Sequence, residues 1–520
     1  MTRAVRLLLA LVSTLFSFES VVDRYSVSLS MRGDTLVRVM EFTGVQGSDR
    51  LLSRISRGFD PYTQSVSLEM AHMGTSSEEL HRIPSWSVDT LTGGGSWPRS
   101  LVAAFPNLRE GMAVHYRITV MDWSGNWSHG AWAVLSPRLK GIVPDSCVFS
   151  FSDGMMEGLV WTGEGYRMSS RGGGTLFTAR NPSAPLVVSP FTDHRDLEEF
   201  LLLEADSVLA EPFPPDLREA ALQATSAGAD GYAQSMRART LLCNSISPER
   251  VMNGRRVNGC RELQEILDSR RATPLEMAAV YAAVCRELGM EATIVPAGPG
   301  NFDVPVPPDW NRYLVRITSS EGDSWFVEPS AYLSPASWIS GADSLTIILG
   351  GETAEIPPSS RSLSRCREFW RVDAVSGTFQ LELDCRGWFD MSLRRRTAGL
   401  SDEEVLLSLA EWGWLSGRTL VPDTVFHGDP FALDEPMVLT AEGRLWEPPA
   451  ADEFAEVLPA LLLPGADSVR GSQERQWTVS GASRAWTGDG RAVRREGELL
   501  VLRDSSGSAG PFTVLLKVMR

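Results

Sequence analysis

The chain has 520 residues, 43% hydrophobic and 22% charged, an ordinary globular balance that excludes a disordered or fibrous polymer. That length allows about two to four domains at roughly 100–200 residues each. The formal net charge of −16 and the pI near 5.0 exclude nucleic acid as an expected partner, because an acidic surface repels phosphate backbones and no basic cluster offsets it.

Arg3 and Arg6 precede an apolar run over residues 7–18, the layout of a secretory signal peptide, which we assign to residues 1–20. The run is shorter than the about 20 residues that a spanning helix needs, and no other stretch has the length and apolarity to cross a membrane. Ser17-Phe18-Glu19-Ser20 is a poor small-x-small cleavage site, and a buried N-terminal helix or strand is the alternative. The expected location is the periplasm, the cell envelope or the medium.

Residues 21–190 are predicted to form an antiparallel β-sandwich. Tyr25, Val27, Leu29 and Met31 alternate with serines; Val66, Leu68 and Met70 alternate likewise, as do Val114, Tyr116, Ile118 and Val120. A period of two buries one face of a strand and wets the other. Gly93-Gly94-Gly95 and Ser124-Gly125-Asn126 supply turns, and Arg171-Gly172-Gly173-Gly174 with Asn181-Pro182-Ser183 reads as a loose passage between domains.

Over residues 191–345 the period becomes helical. Leu197, Phe200, Leu201, Ala205 and Val208 suggest one helix, 217–223 and 232–242 two more, and 260–267 and 273–288 complete the set. Short strands follow at 292–296, 312–317 and 325–328, an α+β layout. Ile356-Pro357-Pro358-Ser359-Ser360 is a linker candidate. Residues 346–520 form a mainly β C-terminal domain, interrupted by one helix whose start carries Ser401 and Glu404 at capping-box spacing.

The helix predicted over 273–288 is the best-specified element. Thr273 is a good N-cap, Pro274 occupies the first helical position where its missing N–H costs nothing, and Glu276 completes a Thr-x-x-Glu capping box. Met277, Tyr281, Val284 and Leu288 share a face, four alanines allow close packing, and Gly289 ends the helix.

The segment 270–292 resembles the core of the transglutaminase-like (papain-like) superfamily, in which a Cys opens a buried small-residue helix that ends in Arg-x-x-Gly-[Ile/Met]-x-Ala. In that family the helix N-terminus favours a thiolate, a His on a neighbouring strand takes the proton, and an Asp on the next strand orients the His. The resemblance places Pro274 at the nucleophile, Arg312 in Asn311-Arg312-Tyr313-Leu314 at the base, and Glu328 in Trp325-Phe326-Val327-Glu328-Pro329 at the orienting acid. Proline has no nucleophilic atom, and arginine stays protonated. Arg312 and Glu328 are expected to form an ion pair where the His–Asp pair would stand. On this basis no catalytic residue is assigned.

The flanks carry weaker resemblances. Phe105-Pro106-Asn107-Leu108-Arg109-Glu110-Gly111 followed by the strand at 114–120 resembles an uncharacterised β-sandwich domain that commonly precedes such cores in bacterial envelope proteins. Asp429-Pro430-Phe431-Ala432-Leu433-Asp434-Glu435-Pro436 resembles the β module that often follows.

Six cysteines are present, none in a Cys-x-x-Cys pair, so no zinc or redox motif is expected. Cys366 and Cys385 flank a predicted hairpin and are the best candidates to pair if the chain is exported. Cys260, after Gly259, is the one candidate for a displaced thiol nucleophile, against an ordinary helix-start thiol or a disulfide half; Cys285 reads as a small buried hydrophobe. No histidine lies between residues 195 and 426 to activate either.

Trp123, Trp127 and Trp132, or Trp412 and Trp414, suit a carbohydrate or peptide surface, with core packing as the plainer reading. Gly172–Gly174 is not a phosphate loop, and Glu262, Glu265 and Asp268 read as a solvated helix face. No metal or cofactor is expected. The expected role is a non-catalytic, binding or structural one in the envelope, with an extended peptide, a glycan or an envelope protein as partner. The alternatives are a cysteine-dependent peptidase or transglutaminase using Cys260, and an assembly partner of an envelope complex.

Overall fold

The computed structural model describes residues 19–59, 61, 63–92, 99–123, 132–225, 230–248, 259–357, 364–373, 375–415, 420–445, 454–457, 471–480, 482–487, 493–496, 499–504 and 513–518. The signal-peptide run, Gly93–Gly95, Ser124–Asn126, Ser359-Ser360 and Trp127 lie outside them, as do the side chains of Trp412 and Trp414. The architecture is α+β and multidomain.

The N-terminal region holds an eight-stranded sheet with two three-stranded sheets packed on it. Val21–Arg32 and Thr35–Val45 form a central hairpin, and Thr35–Val45 is flanked by Ala113–Asp122, which pairs on to Gln64–Gly74. The alternating residues Val27, Leu29, Tyr116, Ile118 and Val120 all turn inward. One pair departs from the antiparallel expectation: Val21–Arg32 runs parallel to Ser146–Phe151. The glycine run is also not a passage between domains. Arg171 pairs with Gly174 at the tip of a hairpin, and Gly172 and Gly173 have φ of +58° and +85°, a bend that favours glycine.

The central core begins with the helix His194–Leu202, capped by Asp193, whose carboxylate accepts the N–H groups of Arg195 and Asp196. The chain breaks before Ala205–Ala210, so the single helix expected here is two. Pro215–Thr225, Gly231–Ser245 and Leu263–Ser269 follow, and then the central helix Pro274–Glu287. Every residue from Leu275 to Cys285 is buried, which the run of alanines permits because neighbours approach closely all round. After Gly289 (φ +80°) the chain turns into Glu291–Gly298, on which the helix packs.

The core sheet has five strands in the order Ser324–Val327, Arg312–Thr318, Glu291–Gly298, Thr346–Leu349, Glu352–Glu355. A boundary at residue 345 therefore cuts this sheet: the last two strands belong to the core, and Ile356, read as linker, is fully buried in the cluster beneath it. Hydrophobic contact to residues earlier in the chain, from Val295 to Leu349, outweighed the turn-like Pro357-Pro358 composition.

The C-terminal region is built on a seven-stranded sheet with Trp388–Thr397 and Asp402–Leu415 against its inner face. Ser401 and Glu404 form the expected capping contacts. The segment 429–436 leaves this domain and enters the core. Leu433 is buried in the central cluster, its carbonyl accepts the Ala336 N–H at 2.9 Å, and Asp434 accepts the Thr240 hydroxyl at 3.1 Å. Buried Arg394 holds the segment's shape. It pairs with Asp390 and donates to the carbonyls of Pro430 and Ala432 at 3.0 Å each, and to that of Glu435.

Candidate functional site

The central helix and the strand after it run in opposite directions. The strand's far end, Gly298, and the start of the next strand, Arg312, which pairs with Ala297, therefore return to the end of the core where the helix begins. At this end stand Pro274, Arg312 and Glu328.

Arg312 and Glu328 meet. Arg312 Nε donates to Glu328 Oε1 at 2.8 Å, Nη2 donates to Oε2, and Nη1 donates to the Ser340 carbonyl at 2.6 Å. The two-nitrogen fork matches the carboxylate plane, the geometry in which Arg exceeds Lys. Glu328 is held from its other side as well. The fully buried Arg239 donates to the carbonyls of Glu328 at 3.1 Å, Ala331 at 2.6 Å and Ser334 at 2.7 Å. The loop beyond the acid is thus fixed by two guanidinium groups.

Pro274 is half-buried, the exception in a segment buried from Ala272 to Cys285. The helix start around it is saturated. Thr273 Oγ1 accepts the Glu276 N–H at 3.2 Å, and Glu276 returns the bond to the Thr273 N–H at 2.8 Å. Glu276 is fully buried and accepts Arg261 through N–H at 3.0 Å, Nε at 2.9 Å and Nη2 at 2.8 Å. The positive end of the helix is therefore already met by an internal carboxylate. Strand alternation sets the two groups apart. Tyr313, Val315 and Ile317 face the helix, whereas Leu314 lies in the cluster on the sheet's other face, and Arg312 shares that parity.

Cys260 is half-buried beside buried Tyr313 and three residues ahead of the helix Leu263–Ser269, not at its first turn as expected. Its N–H donates to Glu204 Oε2 at 3.0 Å. Cys285 is wholly buried, as expected, and burial pushes its thiol up to about 12. Burial pushes Cys147 to about 12 as well and raises Cys243, whose thiol points at the Pro329 carbonyl. These shifts oppose the thiolate that cysteine chemistry needs.

Three features escaped the sequence reading. Arg239 binds carbonyls 89–95 residues on, and Arg261 reaches Glu276 15 residues on across an intervening helix, so no local periodicity announces either. His194, just outside the histidine-free stretch, packs edge-on against Trp310, two residues before Arg312, at 5.5 Å. Burial holds its pKa below the ordinary value, against the opposing charges of Asp193 and Asp309. Glu262, Glu265 and Asp268 are exposed as expected. Trp123 is exposed, and Trp132 packs between the N-terminal and central clusters, so the two do not form one surface. Among the described residues, no group of three or more His, Cys, Asp or Glu side chains is placed to hold a metal, and no helix is long and apolar enough to cross a membrane.

A separate concavity lies on the outer face of the C-terminal sheet, where two overlapping cavities of about 600 and 750 Å³ open side by side. Gln476, Phe369, Glu382, Thr440 and Phe426 form one register row across five strands. Phe426 is 68% exposed and Phe369 37%, large apolar rings on a face that also carries the Arg371 guanidinium with amides, carboxylates and hydroxyls.

No family model and no curated protein matches the sequence. Among solved structures, that of a "putative protease" from Parabacteroides distasonis superposes with a TM-score of 0.58 at 12% identity, over 96% of this chain and 94% of that one. The likeness establishes a shared overall fold. An M1 zinc metallopeptidase from Deinococcus radiodurans overlaps 33% of this chain and 42% of its own at a TM-score of 0.20 and 17% identity.

Proposed function

We propose that the chain is a non-catalytic member of the transglutaminase-like superfamily, exported to the cell envelope, with a binding or structural role. The observation that carries this reading is the closed Arg312–Glu328 pair, which occupies the two positions where the resemblance expects a base and its orienting acid. A guanidinium locked on a carboxylate neither takes a proton nor gives one near neutral pH. The buried thiols raised to about 12 at Cys147 and Cys285 add to it, since a thiol of that kind is almost wholly protonated. The overall fold shared with the Parabacteroides distasonis structure is compatible with this reading at the level of architecture. For binding, the open C-terminal face offers two exposed phenylalanines on rigid strands, a setting suited to an extended peptide or glycan.

The competing reading is a peptidase or transglutaminase that uses Cys260, favoured by the half-exposure of that thiol. An electrophilic thiol probe applied to the native full chain at neutral pH separates the two. Slow, unselective labelling is expected. Fast labelling confined to Cys260 would overturn the non-catalytic reading.

A further inference from the structure

We propose that Cys366 and Cys385 are joined as a cross-strand disulfide in the mature protein. Cys366 lies on the strand Ser364–Asp373 and Cys385 on Thr378–Arg386, and the two are directly opposite each other in register, between the pairs Arg365–Arg386 and Arg367–Asp384. Opposed residues of an antiparallel pair have Cα atoms about 4.5–5.5 Å apart, inside the about 4.4–6.8 Å that a disulfide spans. The two sulfurs already touch, at 3.5 Å. Closing that gap to the covalent distance of about 2.05 Å is within the reach of side-chain rotation on two strands already in register.

The surroundings isolate the pair. Both residues are buried, at 1% and 0% exposure, on the inner face beside Phe389 and Leu393. The other cysteines are elsewhere: Cys147 is in the N-terminal sheet against the Pro137 carbonyl, and Cys243, Cys260 and Cys285 are in the central core. No competing thiol of the described residues belongs to this cluster.

In the step itself, one thiolate attacks a disulfide oxidant, such as oxidised glutathione or the disulfide of a dithiol oxidase. The oxidant's first sulfur leaves as a thiol. The second cysteine then displaces the oxidant's other sulfur from the mixed disulfide. The pair loses two protons and two electrons, and the oxidant gains them as two thiols. Because both sulfurs are closed off in the folded domain, the exchange belongs to folding, before the inner face is covered. The bond then rivets the two strands whose outer face carries Phe369 and Glu382.

The test uses the full chain, reduced, unfolded and refolded with oxidised glutathione, then unfolded again and treated with N-ethylmaleimide. The expected result is four labels for six cysteines, with one linked peptide pair containing residues 366 and 385. Six labels, or a bond between any other two cysteines, would overturn the proposal. Single-residue variants are not needed, so loss of folding cannot obscure the outcome. The refolding result stands apart from the export reading. Production in a bacterium with and without residues 1–20 then reports on export: the bond is expected only in the chain that carries them. Its absence from both, after a positive refolding result, would count against export alone.

Discussion

Arg261 closes over Glu276 with Nε at 2.9 Å and Nη2 at 2.8 Å, and the carboxylate it covers is wholly buried at the start of the central helix. The same carboxylate caps the Thr273 N–H, so one side chain serves the helix end and the segment carrying Cys260. Removing one member of such a pair leaves the other charge buried. Glu276→Ala is expected to cost about 3–5 kcal/mol in urea unfolding, and Arg261→Met a comparable amount. A loss under about 1 kcal/mol for either would mean that the pair is wetter than its burial indicates.

The Arg312–Glu328 pair is more open, with side-chain exposures of 23% and 8%. Arg312→Met and Glu328→Gln should each destabilise, and the double variant should lose less than their sum, with a coupling of about 0.5–3 kcal/mol. Strict additivity would show that the two side chains do not act as a unit.

His194 gives a pH signature. Its folded pKa lies below its ordinary value near 6.5 because burial disfavours the imidazolium. The unfolded chain therefore binds the proton first as pH falls. The stability that the neutral ring contributes is complete above about pH 6.5 and is lost as pH drops toward the folded value. Trp310, whose ring lies 5.5 Å away, reports the change by fluorescence. His194→Gln should flatten the acid-side slope; an unchanged slope would assign it to other groups.

Cys147 and Cys285, with thiols held near 12 by burial, should be alkylated at pH 8 only through opening of the structure. Their labelling rates should rise with urea in parallel with unfolding. Labelling that ignores denaturant would mean that solvent reaches them in the native state.

What the sequence disclosed followed how far along the chain each cause acted. Thr273, Pro274 and Glu276 lie within one turn, so their spacing announced the helix and its cap. The facing of Arg312 and Glu328 came from the family resemblance, and the structure supplies the contact. Arg239, which reaches 89 residues to Glu328, had no local sign. Gly172 and Gly173 misled because composition marks a bend without saying whether it joins two domains or two strands. Ile356 misled for a related reason: the prolines after it look like a linker, but its own side chain is in the core.

The segment 429–436 gives the molecule an unusual division of labour. Leu433 fills a place in the central cluster although it is encoded after three strands and both helices of the next domain's seven-stranded sheet region. A fragment ending after the five-stranded sheet would thus lack a part of its own interior, and the hole would be lined by the helix that carries Thr240 and Asn244. Synthesis must run past residue 433 before the middle of this protein is finished, so its core and its C-terminal domain mature together.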